Sequence, residues 1–115
     1  MTDHLSTSER WENLLTFLHE RFGKRPDLNG VLFLIGVQEL GQGPQRFSKE
    51  QKQDLMHVAV CKLLSASGYY MLEGHDADGW PHWEANNTLP ALTLAEQESL
   101  LKQHACEYFQ SYTAV

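Results

Sequence analysis

The sequence has only two cysteines and no long apolar run among its 115 residues. The longest uninterrupted apolar stretch, residues 31–35, is far shorter than the ~20 residues that cross a bilayer, so no membrane span is predicted. Residues 1–6 lack the basic and apolar segments of a secretory signal, and we therefore expect a cytoplasmic protein. In that compartment Cys61 and Cys106 are expected as free thiols.

Basic residues are scarce in the second half of the chain. Residues 1–62 carry eight acidic and eight basic side chains, whereas residues 63–115 carry seven acidic ones and a single basic one, Lys102. The net charge of −6 therefore belongs to residues 63–115. Nucleic acid binding depends on Lys and Arg contacts to phosphates, so we expect no nucleic acid partner. An acidic half instead suits a cation, a basic partner, or nothing beyond solubility.

Three capping boxes predict three helices. In each box a Ser or Thr is followed three residues later by Glu or Gln, and apolar residues then recur at spacings of three and four. The N-cap residues are Ser6, Ser48 and Thr93. The helix that begins after Ser6 is expected to end near Phe22, before a glycine, and the helix that begins after Ser48 is expected to end near Gly68. The last is expected to place on one line Leu94, Leu101, Ala105, Tyr108 and Tyr112.

Residues 27–40 are apolar on every side, so periodicity alone does not separate a buried helix from a buried strand over residues 31–37. A helix is favoured because Asp27 can cap its start, Gly41 stands where it would end, and its length exceeds that of a typical strand. Glycines inside such a helix each cost ~1 kcal/mol relative to Ala, although they allow close backbone approach.

An aromatic-rich hairpin is predicted between the third and fourth helices. Residues 69–75 and 80–84 flank Asp78 and Gly79, and Asp-Gly between such arms is a strong hairpin signal. Pro81 restricts the second arm to an edge strand. We therefore predict one domain over residues 1–115, mainly α (α+β), with four helices and one small β-hairpin.

A two-residue turn at Asp78 and Gly79 would place His75 opposite His82 and Glu73 opposite Glu84. Like charges that face each other across a ladder destabilise it, so this arrangement calls for a cation. His and carboxylate ligands suit zinc or another divalent transition metal, whose bound water could serve a hydrolase. The competing interpretation is a solvated hairpin face that binds nothing.

Glu39 and His57 are the candidate catalytic residues on the helices. Asp54, His57 and Cys61 align along the third helix, and Glu39 lies in the last turn of the second, where its charge opposes the helix dipole. Such a carboxylate needs a compensating partner, and His57, Lys or Arg would serve. A buried Glu39 bonded to His57 could act as a general acid and base pair if a substrate pocket lay nearby.

Arg46, Ser48 and Lys49 precede or begin the third helix and form a weak candidate anion site, because amides at a helix N-terminus attract phosphate or carboxylate. Capping alone explains the same residues. Cys61 and Cys106 lack the Cys-x-x-Cys spacing and the electropositive setting of reactive thiols, and we expect them to fill the core.

Tyr69, Tyr70, Trp80 and Trp83 form the densest aromatic group in the chain. They are expected either to form a small core under the hairpin or to form a protein interface, where Trp and Tyr are enriched and an edge strand can pair with its own copy. The sequence therefore favours a protein-binding or structural module that forms a homodimer. A metal-binding protein, possibly a hydrolase, is the alternative.

Residues 31–41, 54–57 and 78–83 resemble a family of short, uncharacterised bacterial proteins. The resemblance covers most of the chain. It implies no activity, because none is assigned to that family.

Overall fold

The computed structural model describes residues 5–43 and 45–110. Over these residues the chain forms four helices and one antiparallel hairpin, which lies between the third helix and the fourth, so the predicted mainly α architecture is confirmed. In chain order the elements are α1 (Thr7–Phe22), α2 (Leu28–Leu40), α3 (Lys49–Ser65), β1 (Tyr70–His75), β2 (Pro81–Ala85) and α4 (Leu94–Tyr108).

The helices start at the predicted caps because side chains there satisfy amides that have no partner inside the helix. Ser6 Oγ accepts a hydrogen bond from the Glu9 amide at 3.1 Å, and Glu9 Oε1 accepts one from the Ser6 amide at 2.9 Å. Equivalent reciprocal boxes begin α3 at Ser48 and α4 at Thr93. α3 ends at Ser65, three residues before the predicted stop at Gly68.

α2 is a helix and not a strand. Asp27 Oδ1 accepts a hydrogen bond from the Gly30 amide at 2.8 Å, and Gly41 closes the helix in the left-handed conformation with φ 68°. Gly36 explains why a glycine is kept inside it: a Cβ at this position would lie 2.2 Å from the Leu55 carbonyl oxygen of α3. The glycine therefore lets the two helix backbones approach closely, which offsets its low helix propensity.

The core lies where α1, α2, α3 and α4 meet. Its members include Val31, Ile35 and Ala59, which are fully buried, and Trp11 and Leu101, which are 6% and 3% exposed. Burial of apolar surface on this scale is the main force that holds the helices together.

Two residues that the periodicity assigned to apolar stripes lie at the surface instead. Phe22, in the last turn of α1, is 60% exposed, and Leu94, the first residue of α4, is 85% exposed. Both stand at helix ends, where the apolar stripe extends past the edge of the core.

Tyr112, the last residue of the predicted α4 stripe, lies outside the described residues. Within the described ranges, no helix has the length and apolar character needed to cross a membrane.

Candidate functional site

The hairpin turn is wider than the predicted two-residue bend. His75 pairs with Pro81, and the Asp76 amide donates to the Trp80 carbonyl at 3.0 Å, so the loop between the arms spans residues 77–79. Asp76 organises it: its Oδ1 accepts hydrogen bonds from the amides of Asp78 at 3.0 Å and Trp80 at 2.9 Å. Its Oδ2 lies 3.0 Å from His82 Nε2. The hydrogen bond from His82, followed by the one from the Trp80 amide, lowers the pKa of the Asp76 carboxyl.

The predicted facing of His75 with His82 and of Glu73 with Glu84 is wrong. Gly74 pairs with His82, Met71 pairs with Glu84, and the register shifts between Leu72 and Gly74, which leaves Glu73 in a bulge. The three-residue loop and the bulge together displace the ladder from the register that a two-residue turn would impose. In the described part of the chain, no group of three or more His, Cys, Asp or Glu side chains could hold a metal ion.

β1 carries the most exposed large apolar side chains of the hairpin, on opposite faces of the strand. Met71 is 66% exposed and Leu72 is 46% exposed. The sheet has two strands, and neither outer edge pairs with another described strand. β2 begins with Pro81, a residue that protects a sheet edge because it has no N–H to donate. The open edge is therefore the Tyr70–Leu72 part of β1, before the bulge.

Backbone geometry determines which groups this edge presents. The Asn86 amide donates to the Tyr69 carbonyl at 2.8 Å, and Tyr70 pairs with Ala85. Positions in an antiparallel ladder alternate between hydrogen-bonded and non-hydrogen-bonded pairs. Tyr70 and Leu72 are therefore non-hydrogen-bonded positions, and their N–H and C=O groups point away from β2.

The four aromatic residues of the predicted interface divide between the core and the hairpin. Tyr69 and Tyr70 are half-buried and pack against the main core. Trp80 and Trp83 are also half-buried, and the Trp83 indole N–H is buried with no hydrogen-bond acceptor among the described residues. A buried donor without an acceptor costs about 1–3 kcal/mol of stability, so the Trp83 indole N–H destabilises the hairpin by about this amount.

Glu39 and His57 have different partners and are not bonded to each other. The Tyr108 hydroxyl of α4 donates to Glu39 Oε2 at 2.7 Å, so this partner is a neutral hydroxyl and not the predicted His57, Lys or Arg. His57 Nε2 lies 3.5 Å from Cys61 Sγ on the same helix. His57 lines an open cavity of about 490 Å³ between α2, α3 and α4, but Glu39 does not. The predicted acid and base pair is therefore not assembled.

The two thiols are poor nucleophiles. Burial raises the pKa of Cys61 to about 11 and also raises that of Cys106, which disfavours the nucleophilic thiolate.

At the start of α3, Ser48 Oγ already accepts a hydrogen bond from the Gln51 amide at 3.1 Å. Arg46 and Lys49 are exposed beside it. Capping thus accounts for Ser48.

A chain of three polar side chains joins the end of α3 to α4, and the sequence did not indicate it. Ser67 Oγ lies 2.7 Å from His104 Nε2, and His104 Nδ1 lies 2.7 Å from Glu107 Oε1. His104 is only 8% exposed. The spacing of His104 and Glu107 on one helix face could have suggested their pairing, but nothing local links either residue to Ser67.

Comparison of the chain with protein-family models, with curated proteins and with solved structures finds no match. The candidate sites therefore depend on the contacts of the chain's own residues.

Proposed function

We propose that this chain is a protein-binding module that forms a homodimer by pairing the β1 edges of two copies. The observation that carries the proposal is the open Tyr70–Leu72 edge with its exposed Met71 and Leu72 side chains. The hairpin packs against α3, which meets the need of a two-stranded sheet for support, and its β1 edge remains open. Pairing two copies would make a four-stranded sheet.

The edge is complementary to itself. In a two-fold antiparallel arrangement centred on Met71, Tyr70 of each copy lies opposite Leu72 of the other. The outward N–H and C=O groups of Tyr70 and Leu72 would then meet identical groups of the second copy and form a hydrogen-bonded ladder. The two Met71 side chains would meet at the two-fold axis in a non-hydrogen-bonded pair, the closer of the two spacings.

The same register keeps like charges apart. Glu73 of one copy would lie opposite Tyr69 of the other, so the two Glu73 positions would be four residues apart along the strands. At roughly 3.3 Å per residue this is about 13 Å. The separation exceeds the screening length of about 8 Å at physiological ionic strength, so repulsion between the two carboxylates would be weak.

Light scattering coupled to size-exclusion chromatography tests the proposal with two edge variants. For the wild type we expect a mass that rises with concentration from 13.2 kDa towards twice that value. Leu72→Pro removes an outward N–H without removing a β1–β2 hydrogen bond, and Met71→Lys places two ammonium groups at the axis. Both variants should remain monomeric.

Leu94→Lys is the matched control, because Leu94 is the most exposed large apolar residue of the described chain, 85% exposed, and lies on α4 rather than on the hairpin. This variant should associate like the wild type, and far-UV circular dichroism should show that all variants keep their helices. A wild type that stays at the monomer mass throughout, or a loss of association that Leu94→Lys shares, would contradict the proposal.

A further inference from the structure

We propose that Ser67, His104 and Glu107 form a nucleophilic serine site that hydrolyses small carboxylic esters. This activity is independent of the proposed dimer. The three side chains are connected in the order that acyl transfer requires: a hydroxyl on one imidazole nitrogen and a carboxylate on the other, each at 2.7 Å. The nucleophile is accessible because Ser67 is exposed, whereas His104 is buried.

The carboxylate determines which nitrogen of His104 carries the proton. An ionised Glu107 only accepts hydrogen bonds, so Nδ1 must donate to Glu107 Oε1. In the neutral imidazole, Nε2 is then unprotonated and accepts the hydrogen bond of the Ser67 hydroxyl. This is the tautomer in which the imidazole can serve as a general base toward the serine.

A cavity of about 220 Å³ adjoins His104 and Glu107, although Ser67 is not part of its lining, and its wall indicates the class of substrate. His104 and Glu107 line it, and Ala66, the residue before Ser67, lines it as well. Leu63 and Tyr108 complete the apolar part of its wall. A cavity of this size and polarity suits a short acyl chain, such as an acetyl or butyryl group.

The reaction has two steps, acylation of Ser67 and hydrolysis of the acyl-serine. Ser67 Oγ attacks the ester carbonyl carbon while His104 Nε2 takes the hydroxyl proton; the bond to the alkoxy group then breaks, and Nε2 returns that proton to the departing alcohol. Water next attacks the acyl carbon and gives a proton to Nε2, the Oγ–carbon bond breaks, and the proton passes back to Oγ as the carboxylic acid leaves.

We assign to Lys62 the stabilisation of the negative charge that develops on the carbonyl oxygen. The backbone amides nearby are already used: Ser67 N donates to Leu64 O at 3.1 Å, and Gly68 N donates to Ser65 O at 3.0 Å. Among the described residues that line this cavity, Lys62 is the only Lys or Arg. Its ammonium therefore takes the role that backbone amides fill in other acyl-transfer sites.

Labelling with a fluorophosphonate probe, followed by peptide mass spectrometry, tests the site directly. We expect the adduct on Ser67 and its loss in Ser67→Ala. Ser65→Ala is the matched control, because the Ser65 hydroxyl donates to the Lys62 carbonyl and has no contact with the imidazole. This control should keep the labelling of the wild type.

Hydrolysis of p-nitrophenyl acetate gives the second measurement. His104→Gln keeps a hydrogen-bonding side chain but loses the base, and we expect the acylation rate to fall by about 10²–10⁴-fold. Glu107 acts through His104 and is a positioning residue, so Glu107→Gln should lower kcat about tenfold and leave KM unchanged. Labelling spread over other residues, or hydrolysis by Ser67→Ala at the wild-type rate, would overturn the proposal.

Discussion

Gly36→Ala is the sharpest test of how α2 and α3 pack. The new Cβ would lie 2.2 Å from the Leu55 carbonyl oxygen and 2.6 Å from the carbonyl carbon, where ordinary contact begins at 3.4 Å. The helices would therefore have to separate by about 1.2 Å, the difference between 3.4 and 2.2 Å, because both atoms belong to the α3 backbone and cannot rotate away.

The free energy of this change follows from two opposing effects. Forcing extra volume into a packed core costs about 1–3 kcal/mol, and a rigid backbone neighbour puts this site at the upper end. Replacing a helical glycine by alanine returns about 1 kcal/mol of helix propensity. We therefore expect the free energy of unfolding to fall by about 2 kcal/mol, a large part of the roughly 5–15 kcal/mol that a domain possesses.

Urea denaturation followed by circular dichroism measures this difference. Gly30→Ala is the matched control within the same helix, because its Cβ would meet only the Pro26 side chain at 2.9 Å and Asp27 Oδ1 at 3.4 Å. The 2.9 Å approach also requires a shift, but only of the segment that leads into α2 and not of a second helix, so we expect a smaller loss of stability than for Gly36→Ala. A Gly36→Ala protein at least as stable as the wild type would refute the close approach of α2 and α3.

Two further predictions concern the hairpin turn and the core thiols. Asp76→Ala should speed hydrogen exchange at the amides of Asp78 and Trp80, because both amides donate to its carboxylate. The pKa of Asp76 is lowered, so the stabilisation of the turn by its carboxylate is complete above the ordinary Asp pKa of about 3.9. In the wild type the turn should therefore loosen only as pH falls through the lowered pKa. Unchanged exchange in the variant would contradict the turn geometry. Native protein at pH 8 should react slowly with a thiol reagent at Cys61, whose pKa is raised to about 11, and rapidly once unfolded; equal rates would contradict its burial.

The helices could be predicted because their ends depend on residues within a single turn. Ser6, Ser48 and Thr93 each bond to an amide three residues ahead, and the glycine after α1 adopts a left-handed conformation that few other residues tolerate. Even the ambiguous apolar segment was resolved by its cap at Asp27. Local chemistry was sufficient for the whole architecture.

The hairpin register could not be predicted in the same way. An Asp-Gly pair favours a two-residue turn, but the Asp76 carboxylate competes by accepting two backbone amides and by pairing with His82. That alternative depends on a side-chain conformation, and the bulge at Glu73 adds a second displacement that no short motif indicates. The predicted facing of the candidate metal ligands Glu73, His75, His82 and Glu84 depended on that register and was wrong with it.

The serine site was missed because it is a tertiary feature. Ser67 and His104 are separated by 37 positions and meet only because α4 packs beside the end of α3. The sequence alone places His104 beside the apolar face of α4 and Ser67 in the turn that follows α3. Only the packing of the two helices makes them neighbours.

The two proposed sites lie close along the chain but can be separated by experiment. Ser67 precedes β1 by three positions, so the bond from Ser67 to His104 also links the segment that leads into the hairpin to α4. If that bond only oriented the hairpin, Ser67→Ala would weaken dimerisation and no adduct would form on the wild-type serine. If Ser67 is a nucleophile, Met71→Lys should abolish dimerisation and leave the fluorophosphonate adduct unchanged, because Met71 contacts neither the imidazole nor the cavity.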